Sequence, residues 1–162
     1  MDRVSKLKSC SELAPILRGL QAGGKVVVFT NGCFDLLHAG HVRYLAAARR
    51  EGDILVVGLN SDRSVRDIKG DPRPIMPESE RAHVLAGLAA VNYVVLFDEP
   101  DPLRLIMALT PDVLVKGGDW PEDAIIGAQV VRERGGRVVR MPMVEGASTS
   151  AIIARILERY RG

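Results

Sequence analysis

Two histidines stand three positions apart at the end of a glycine-containing stretch, and they are the side chains best suited to chemistry. The stretch T-N-G-C-F-D-L-L-H-A-G-H runs from Thr30 to His41 and includes His38. Residues three apart on a first helical turn share one side, so both imidazoles can meet the same ligand. Gly32 allows a close backbone approach, and free N–H groups at a helix start favour an anion. The pattern indicates a phosphate site where two imidazoles stabilise developing charge.

Further polar groups follow predicted strands or open predicted helices, where they could reach the same ligand. These are Asn60 with Asp62, Lys69 with Arg73, Lys116 with Gly117, and the run Ser148, Thr149 and Ser150. Cations on a loop can close over a triphosphate, although a basic loop can equally be a solvated one. Consecutive hydroxyls can bind phosphate oxygens, although one of them is enough for a helix cap.

Other chemistries find less support in the sequence. Cys33 has no histidine–carboxylate relay in view, so an activated nucleophile is not indicated. The two histidines could be ordinary residues at a helix start, or zinc ligands. A zinc site lacks a cysteine cluster, and only His83 remains as a further histidine. Proximity, orientation and charge stabilisation are therefore the expected means of catalysis.

The elements that must position these residues alternate between short β-branched runs and helical periods. Strands are predicted over 25–29, 54–59, 92–97, 112–116 and 137–141, with helices over 41–50, 78–89, 102–109 and 122–134. Each strand is apolar on both faces, which predicts helices on both sides of the sheet. The expected fold is α/β: a three-layer α/β/α sandwich around a Rossmann-like, doubly wound parallel sheet of five strands. Its carboxyl edge would hold the ligand.

Three segments flank or interrupt this pattern in a chain that is predicted to be a single domain over 1–162. Residues 1–22 predict an outer amphipathic helix capped by Ser11. Residues 61–77 contain three prolines and predict a long functional loop. Residues 147–162 predict a C-terminal helix.

Composition excludes several function classes. The net charge is +2 with acids and bases interleaved, which argues against nucleic acid as a partner. No apolar run is long enough for a bilayer, and no signal segment opens the chain, so neither a membrane partner nor secretion is expected. Two cysteines form no metal pattern, and a cytoplasmic location with reduced thiols is predicted.

The stretch from Thr30 to His41 resembles the signature of the HxGH nucleotidyltransferase superfamily, in its cytidylyltransferase-like branch. The resemblance implies that the two histidines contact the nucleotide phosphates, and that Lys69, as a catalytic lysine, also contacts phosphate. It implies that Gly40 leaves room for the nucleotide and that an arginine at a helix start, here Arg81, binds substrate. The nucleotide site so implied comprises Thr30, Asn31, Gly32, Cys33, Phe34, Asp35, Gly40, Arg81, Lys116, Gly117, Asp119, Ser148, Thr149 and Ser150. The acceptor site comprises Asn60, Asp62, Lys69 and Arg73.

Within that superfamily the chain is most similar to heptose 1-phosphate adenylyltransferases, on segments such as NSDRSVRDIKGDPRP, PDVLVKGGDW and the late STS. The similarity implies transfer of AMP from ATP, with Mg²⁺, to a sugar phosphate, giving ADP-heptose for surface glycans. It also implies a homodimer and, in a chain of this length, a separate heptose kinase in the pathway. Two alternatives stay open: a glycerol-3-phosphate cytidylyltransferase, and an inactive nucleotide-binding regulatory module. The residues alone do not distinguish ATP from CTP.

Overall fold

Five parallel strands form one sheet in the computed structural model, which describes residues 6–118, 121, 124–142 and 148–160. The strands are β1 (Val27–Gly32), β2 (Ile54–Asn60), β3 (Tyr93–Phe97), β4 (Val113–Gly117) and β5 (Arg137–Met141). Their order is β3-β2-β1-β4-β5, and each neighbouring pair is parallel. The chain winds outward from β1 in both directions, so the order reverses between β1 and β4. The predicted doubly wound sheet is confirmed, and its crevice lies at this reversal.

Helices cover both faces of the sheet, as the apolar strands predict. They are α1 (Cys10–Ala22), α2 (Ala39–Arg49), α3 (Asp62–Lys69), α4 (Glu78–Ala86), α5 (Leu103–Leu109), α6 (Ala128–Glu133) and α7 (Thr149–Tyr160). One buried cluster joins α1, α5 and α6 to the sheet, and a second joins α2 and α4 to the other face. The α/β/α sandwich is therefore confirmed. Strand β5 departs from the prediction, because as an edge strand it leaves Arg137 and Arg140 exposed.

Helix α1 packs on the outside of the sheet as predicted, but its cap is a different serine. Leu13 and Leu17, four apart on one face, are fully buried. The N-cap is Ser9, whose hydroxyl accepts from the Glu12 N–H while the Glu12 carboxylate accepts from the Ser9 N–H at 2.8 Å. This capping box begins two residues before Ser11, so the prediction of Ser11 as cap is wrong.

The predicted loop over 61–77 is a helix in its first half. Ser61 caps α3 by accepting a hydrogen bond from the Ser64 N–H, and the helix ends at Gly70, which has φ +88°. All three prolines come after this point, so they do not oppose the helix. Val65 is the helix's one buried large apolar residue, too few for a recognisable period. The loop proper spans 70–77.

Several predicted boundaries shift by a few residues. Strand β1 begins at Val27 and continues to Gly32, because its pairing with β2 extends to that residue. Helix α2 begins at Ala39, with His38 as its N-cap residue. Helix α6 begins only at Ala128, since Gly127 precedes it with φ +87°. Residues 122 and 123 of the predicted helix lie outside the described part.

Candidate active site

A sharp turn between β1 and α2 places the two histidines at the carboxyl edge of the sheet. Phe34 and Leu36 adopt left-handed φ angles of 46° and 48°, which are uncommon for such residues and concentrate at functional sites. The Phe34 ring lies over Gly32, where an added Cβ would come within 3.0 Å of its Cε2 atom. The same ring lies 5.3 Å from the His41 ring, centroid to centroid. Phe34, predicted to bind nucleotide, is 7% exposed and instead supports the histidine.

His38 and His41 form one stacked pair, as their spacing predicts. Their ring centroids lie 3.8 Å apart with an interplanar angle of 23°. The His38 backbone N–H donates to His41 Nδ1 at 3.4 Å, so the assigned tautomer of His41 carries its proton on Nε2. Among the buried side-chain atoms of the described residues, His38 Nδ1 has no hydrogen-bond partner. Since buried polar groups are normally satisfied, this nitrogen indicates a site that a ligand completes.

Burial and the neighbouring His38 lower the pKa of His41 from 6.5 to about 4. We expect the ring to be neutral at pH 7 and to titrate near pH 4 in two-dimensional ¹H–¹⁵N NMR spectra of the free protein. The unfolded chain binds this proton at a higher pH, so its share of stability is present above pH 6.5 and is lost as pH falls towards 4. Urea unfolding across that window should therefore show a smaller loss for His41→Asn than for the wild type. Equal losses in the two proteins would contradict the shift.

Asp35 is a structural anchor in this geometry. Its buried carboxylate accepts hydrogen bonds from Arg73 Nε at 2.6 Å, from the Ile75 N–H at 2.8 Å and from the Met76 N–H at 3.0 Å. Burial acts to raise the pKa of Asp35, but these donors outweigh it and the pKa is lowered. The Asp35 carbonyl accepts from the Thr149 hydroxyl at 2.6 Å. These contacts join three segments of the chain, and the predicted nucleotide contact of Asp35 stays a prediction.

Arg81 is likewise held inside the protein. Its side chain is fully buried and donates to the carbonyls of Met76, Cys33 and Asn60 at 2.6–3.0 Å and to Asp62 Oδ1 at 2.7 Å. In this geometry it ties the ends of β1 and β2 to the loop before α4. The predicted substrate contact of Arg81 is thus not available in this structure, because the guanidinium already bonds to the walls of the site.

Thr30 and Asn60 are also buried, at 0% and 3% exposure, and both side chains bond to protein groups; their predicted ligand contacts stay predictions. The Asn60 amide donates to the Ser64 hydroxyl at 2.9 Å. The Thr30 hydroxyl lies 2.7 Å from that of Tyr44, which donates to the Val115 carbonyl. Tyr44 is a supporting residue that was not predicted from the sequence. The sequence offers one signal for it, its position three residues after His41 on the same helix, and core residues commonly occupy such positions. Asp62 is engaged by Arg81 and, through its N–H, by Glu78, so its predicted acceptor contact stays a prediction.

Three basic residues lie near Cys33, which is in the turn between β1 and α2. Burial raises the pKa of the Cys33 thiol, and the nearby charges of Lys69, Arg81 and Arg73 act in the opposite direction. Lys69 is exposed on the last turn of α3, whereas Arg73 is partly buried against Asp35. Arg73 and Arg81 are paired with Asp35 and Asp62, whereas Lys69 has no ion pair among the described residues. Closure of Lys69 and Arg73 over a triphosphate stays a prediction.

Lys116 and Asn31 meet at the ends of β4 and β1. Lys116 Nζ donates to Asn31 Oδ1 at 2.5 Å, and burial lowers the lysine pKa from 10.5 to about 8. Gly117 ends β4, and Gly118 follows with φ +90°, a conformation suited to glycine. Asp119, predicted to bind ribose or adenine, lies outside the described residues.

The three hydroxyl residues Ser148, Thr149 and Ser150 differ in their contacts. Ser148 caps α7 by accepting from the Ala151 N–H at 3.1 Å, and Thr149 donates to the Asp35 carbonyl. Ser150 is exposed on the first turn of α7. Binding of β- and γ-phosphates by this run stays a prediction, as does the room that buried Gly40 is expected to leave for the nucleotide.

Comparison with known proteins agrees with this geometry. The family model described as cytidylyltransferase-like matches residues 29–155. The bifunctional protein HldE of Trichlorobacter lovleyi is 54% identical over 159 residues, covering 98% of this chain and 32% of its own length. HldE of Campylobacter concisus is 57% identical over 151 residues, covering 93% and 31%. The chain therefore spans about a third of the length of these curated relatives.

Solved structures give the same fold. The lipopolysaccharide core biosynthesis protein of Thermoplasma volcanium superposes with a TM-score of 0.62 at 27% identity, covering 76% of this chain and all of that one. Pantoate-beta-alanine ligase of Francisella tularensis reaches 0.62 at 15% identity, covering 89% of this chain and 68% of its own, a likeness of fold alone. In the described residues no helix is long and apolar enough to span a membrane. The predicted superfamily is confirmed: the chain belongs to the cytidylyltransferase-like family of nucleotidyltransferases.

Proposed function

We propose that this chain transfers AMP from ATP to D-glycero-D-manno-heptose 1-phosphate, producing ADP-heptose and pyrophosphate. The observation that carries the proposal is the stacked histidine pair at the N-terminus of α2, with its unpartnered buried nitrogen on His38. This arrangement fits a triphosphate. The choice of acceptor is supported by relatives named HldE at 54–57% identity over nearly the whole chain. A structural neighbour named for lipopolysaccharide core biosynthesis supports it further.

The reaction requires positioning and charge stabilisation by the protein. An oxygen of the sugar phosphate attacks the α-phosphorus of ATP with its own electron pair, and the bond from that phosphorus to the bridging oxygen breaks as pyrophosphate leaves. Neutral His41 can donate an Nε2 hydrogen bond to an oxygen that gains charge, beside the N-terminus of α2. Lys69, exposed next to this turn, can neutralise the leaving pyrophosphate. No protein group has to be a nucleophile.

Mg²⁺ is proposed to arrive with the triphosphate as part of the substrate. Within the described residues no group of three or more His, Cys, Asp or Glu side chains could hold a metal ion. A homodimer, a cytoplasmic location and a separate heptose kinase that supplies the acceptor stay predictions.

Pyrophosphate release from the purified protein tests the proposal. ATP and CTP are each offered with Mg²⁺ against heptose 1-phosphate and glycerol 3-phosphate. We expect release with ATP and heptose 1-phosphate alone. Release with CTP and glycerol 3-phosphate would preserve the reaction type and overturn the substrates. A protein that binds ATP without release in any pairing would fit the regulatory alternative.

A further inference from the structure

We propose that Lys116, held by Asn31, binds the phosphate of the acceptor and not the nucleotide. The inference rests on the proposed transfer to a sugar phosphate and specifies how the acceptor is recognised. Lys116 Nζ lies 2.5 Å from Asn31 Oδ1, at the adjacent carboxyl ends of β4 and β1. Strand order reverses between these two strands, so their ends open into the crevice where α/β proteins bind ligands.

The pair stands on the opposite face of the sheet from the histidines. Side chains alternate along a strand, so Asn31 shares the face of Phe29, and Lys116 shares that of Leu114. Phe29 and Leu114 belong to the cluster under α1, α5 and α6. The Phe34 ring that supports His41 belongs instead to the cluster under α2. In-line transfer needs the acceptor and the leaving group on opposite sides of the α-phosphorus, and a lysine on the opposite face of the sheet from the histidines suits that requirement.

Neighbouring residues hold Asn31 and Lys116 in place, and the described ones do not neutralise the Lys116 charge. The position beside Asn31 on β2 is Gly58, where an added Cβ would come within 3.2 Å of the Asn31 Cβ and 2.8 Å of Phe29 Cζ. Among the described residues, no carboxylate forms an ion pair with Lys116; its hydrogen-bond partner there is the neutral amide of Asn31. A partly buried ammonium that has no counter-charge among the described residues gains from an anionic ligand. Burial lowers the pKa of Lys116 to about 8 because it disfavours the charged form, and an anion bound beside the ammonium would oppose that effect.

Steady-state kinetics of Lys116→Met and Lys116→Arg test the assignment. For Lys116→Met we expect the KM for heptose 1-phosphate to rise about tenfold or more, with the KM for ATP within about twofold, while Lys116→Arg recovers most of the loss. Asn31→Asp supplies an internal counter-charge and should raise the acceptor KM as well. The control is Lys25→Met, an exposed lysine near the amino end of β1, which should leave both constants unchanged. A rise in the ATP KM alone, or no change in either constant, would overturn the proposal.

A binding measurement separates this inference from the proposed function. Inorganic phosphate is titrated into the full chain while the Lys116 ammonium signal is followed by NMR, with Lys116→Met to identify the signal. We expect a saturable shift that Asn31→Asp abolishes. If the wild type shifts but does not use heptose 1-phosphate, the proposed substrate fails and the anion site stands. If the wild type releases pyrophosphate with heptose 1-phosphate and phosphate leaves the signal unmoved, the anion site fails and the function stands.

Discussion

Replacing His41 by alanine is expected to lower kcat by about 10²–10³-fold, the usual cost of losing one donor to a charge that develops in the transition state. The His41 ring stacks on the His38 ring with their centroids 3.8 Å apart, and its Nε2 atom is a hydrogen-bond donor. Removing the His41 ring therefore also removes the stacking partner of His38. The KM for ATP should change much less, because the cations around Cys33 remain. The double variant His38→Ala/His41→Ala should lose little more than either single one, since the rings act as one unit.

The matched control for this prediction is His83→Ala. His83 is exposed on α4, and its Nδ1 contacts only the Ser79 carbonyl within its own helix, at 2.6 Å. Its removal should leave kcat unchanged. Pyrophosphate release at saturating ATP and acceptor measures both variants, with circular dichroism to confirm that they fold. A His41→Ala protein with near wild-type kcat would contradict the assigned role of the pair.

Most of the fold could be predicted because its signals are local and strong. Five β-branched runs separated by helices leave few alternatives to a doubly wound sheet, and the parallel sheet with helices on both faces is confirmed. Errors arose where the local signal is weak. Helix α3 has a single buried large apolar residue, Val65, so its period could not be seen. Strand β5 carries Arg137 and Arg140 and lies at an edge of the sheet, a position that depends on the whole topology.

The sequence could predict that the candidate residues meet at one edge of the sheet, but not the direction of their side chains. Small and polar residues after successive strands indicate a ligand site, since the ends of parallel strands share one edge. Whether each side chain faces ligand or protein depends on distant partners. Arg81 is satisfied by carbonyls up to 48 residues away, and Asp35 by N–H groups 40 and 41 residues on. A motif match marks all these residues alike, so it does not distinguish residues that support the site from residues that contact the ligand.

Asp35 should therefore matter for folding as well as for activity. Asp35→Asn replaces a carboxylate that accepts from Arg73 Nε and from two backbone N–H groups, and it leaves the guanidinium without its buried partner. Removing one member of a buried ion pair costs about 3–5 kcal/mol, so we expect the free energy of unfolding to fall by about that amount. The anchored loop would also be released, and kcat/KM should fall at least about 10²-fold, as expected when positioning is lost.

Urea denaturation and steady-state kinetics of Asp35→Asn measure both effects, and a second variant separates them. Arg73→Ala removes the other half of the pair, and the Asp35→Asn/Arg73→Ala protein should be far more stable than the two separate losses would predict by addition. Asp53→Asn, at the exposed amino end of β2, is the control and should leave activity unchanged. Because its lowered pKa makes Asp35 stabilising only while ionised, its contribution should be present above the ordinary carboxyl pKa of about 3.9 and vanish as pH falls through the folded value. If Asp35→Asn keeps wild-type stability and only its KM for ATP rises, Asp35 is instead a nucleotide ligand. A joint between β1, the loop over 70–77 and α7 cannot be lost without cost to the stability of the fold.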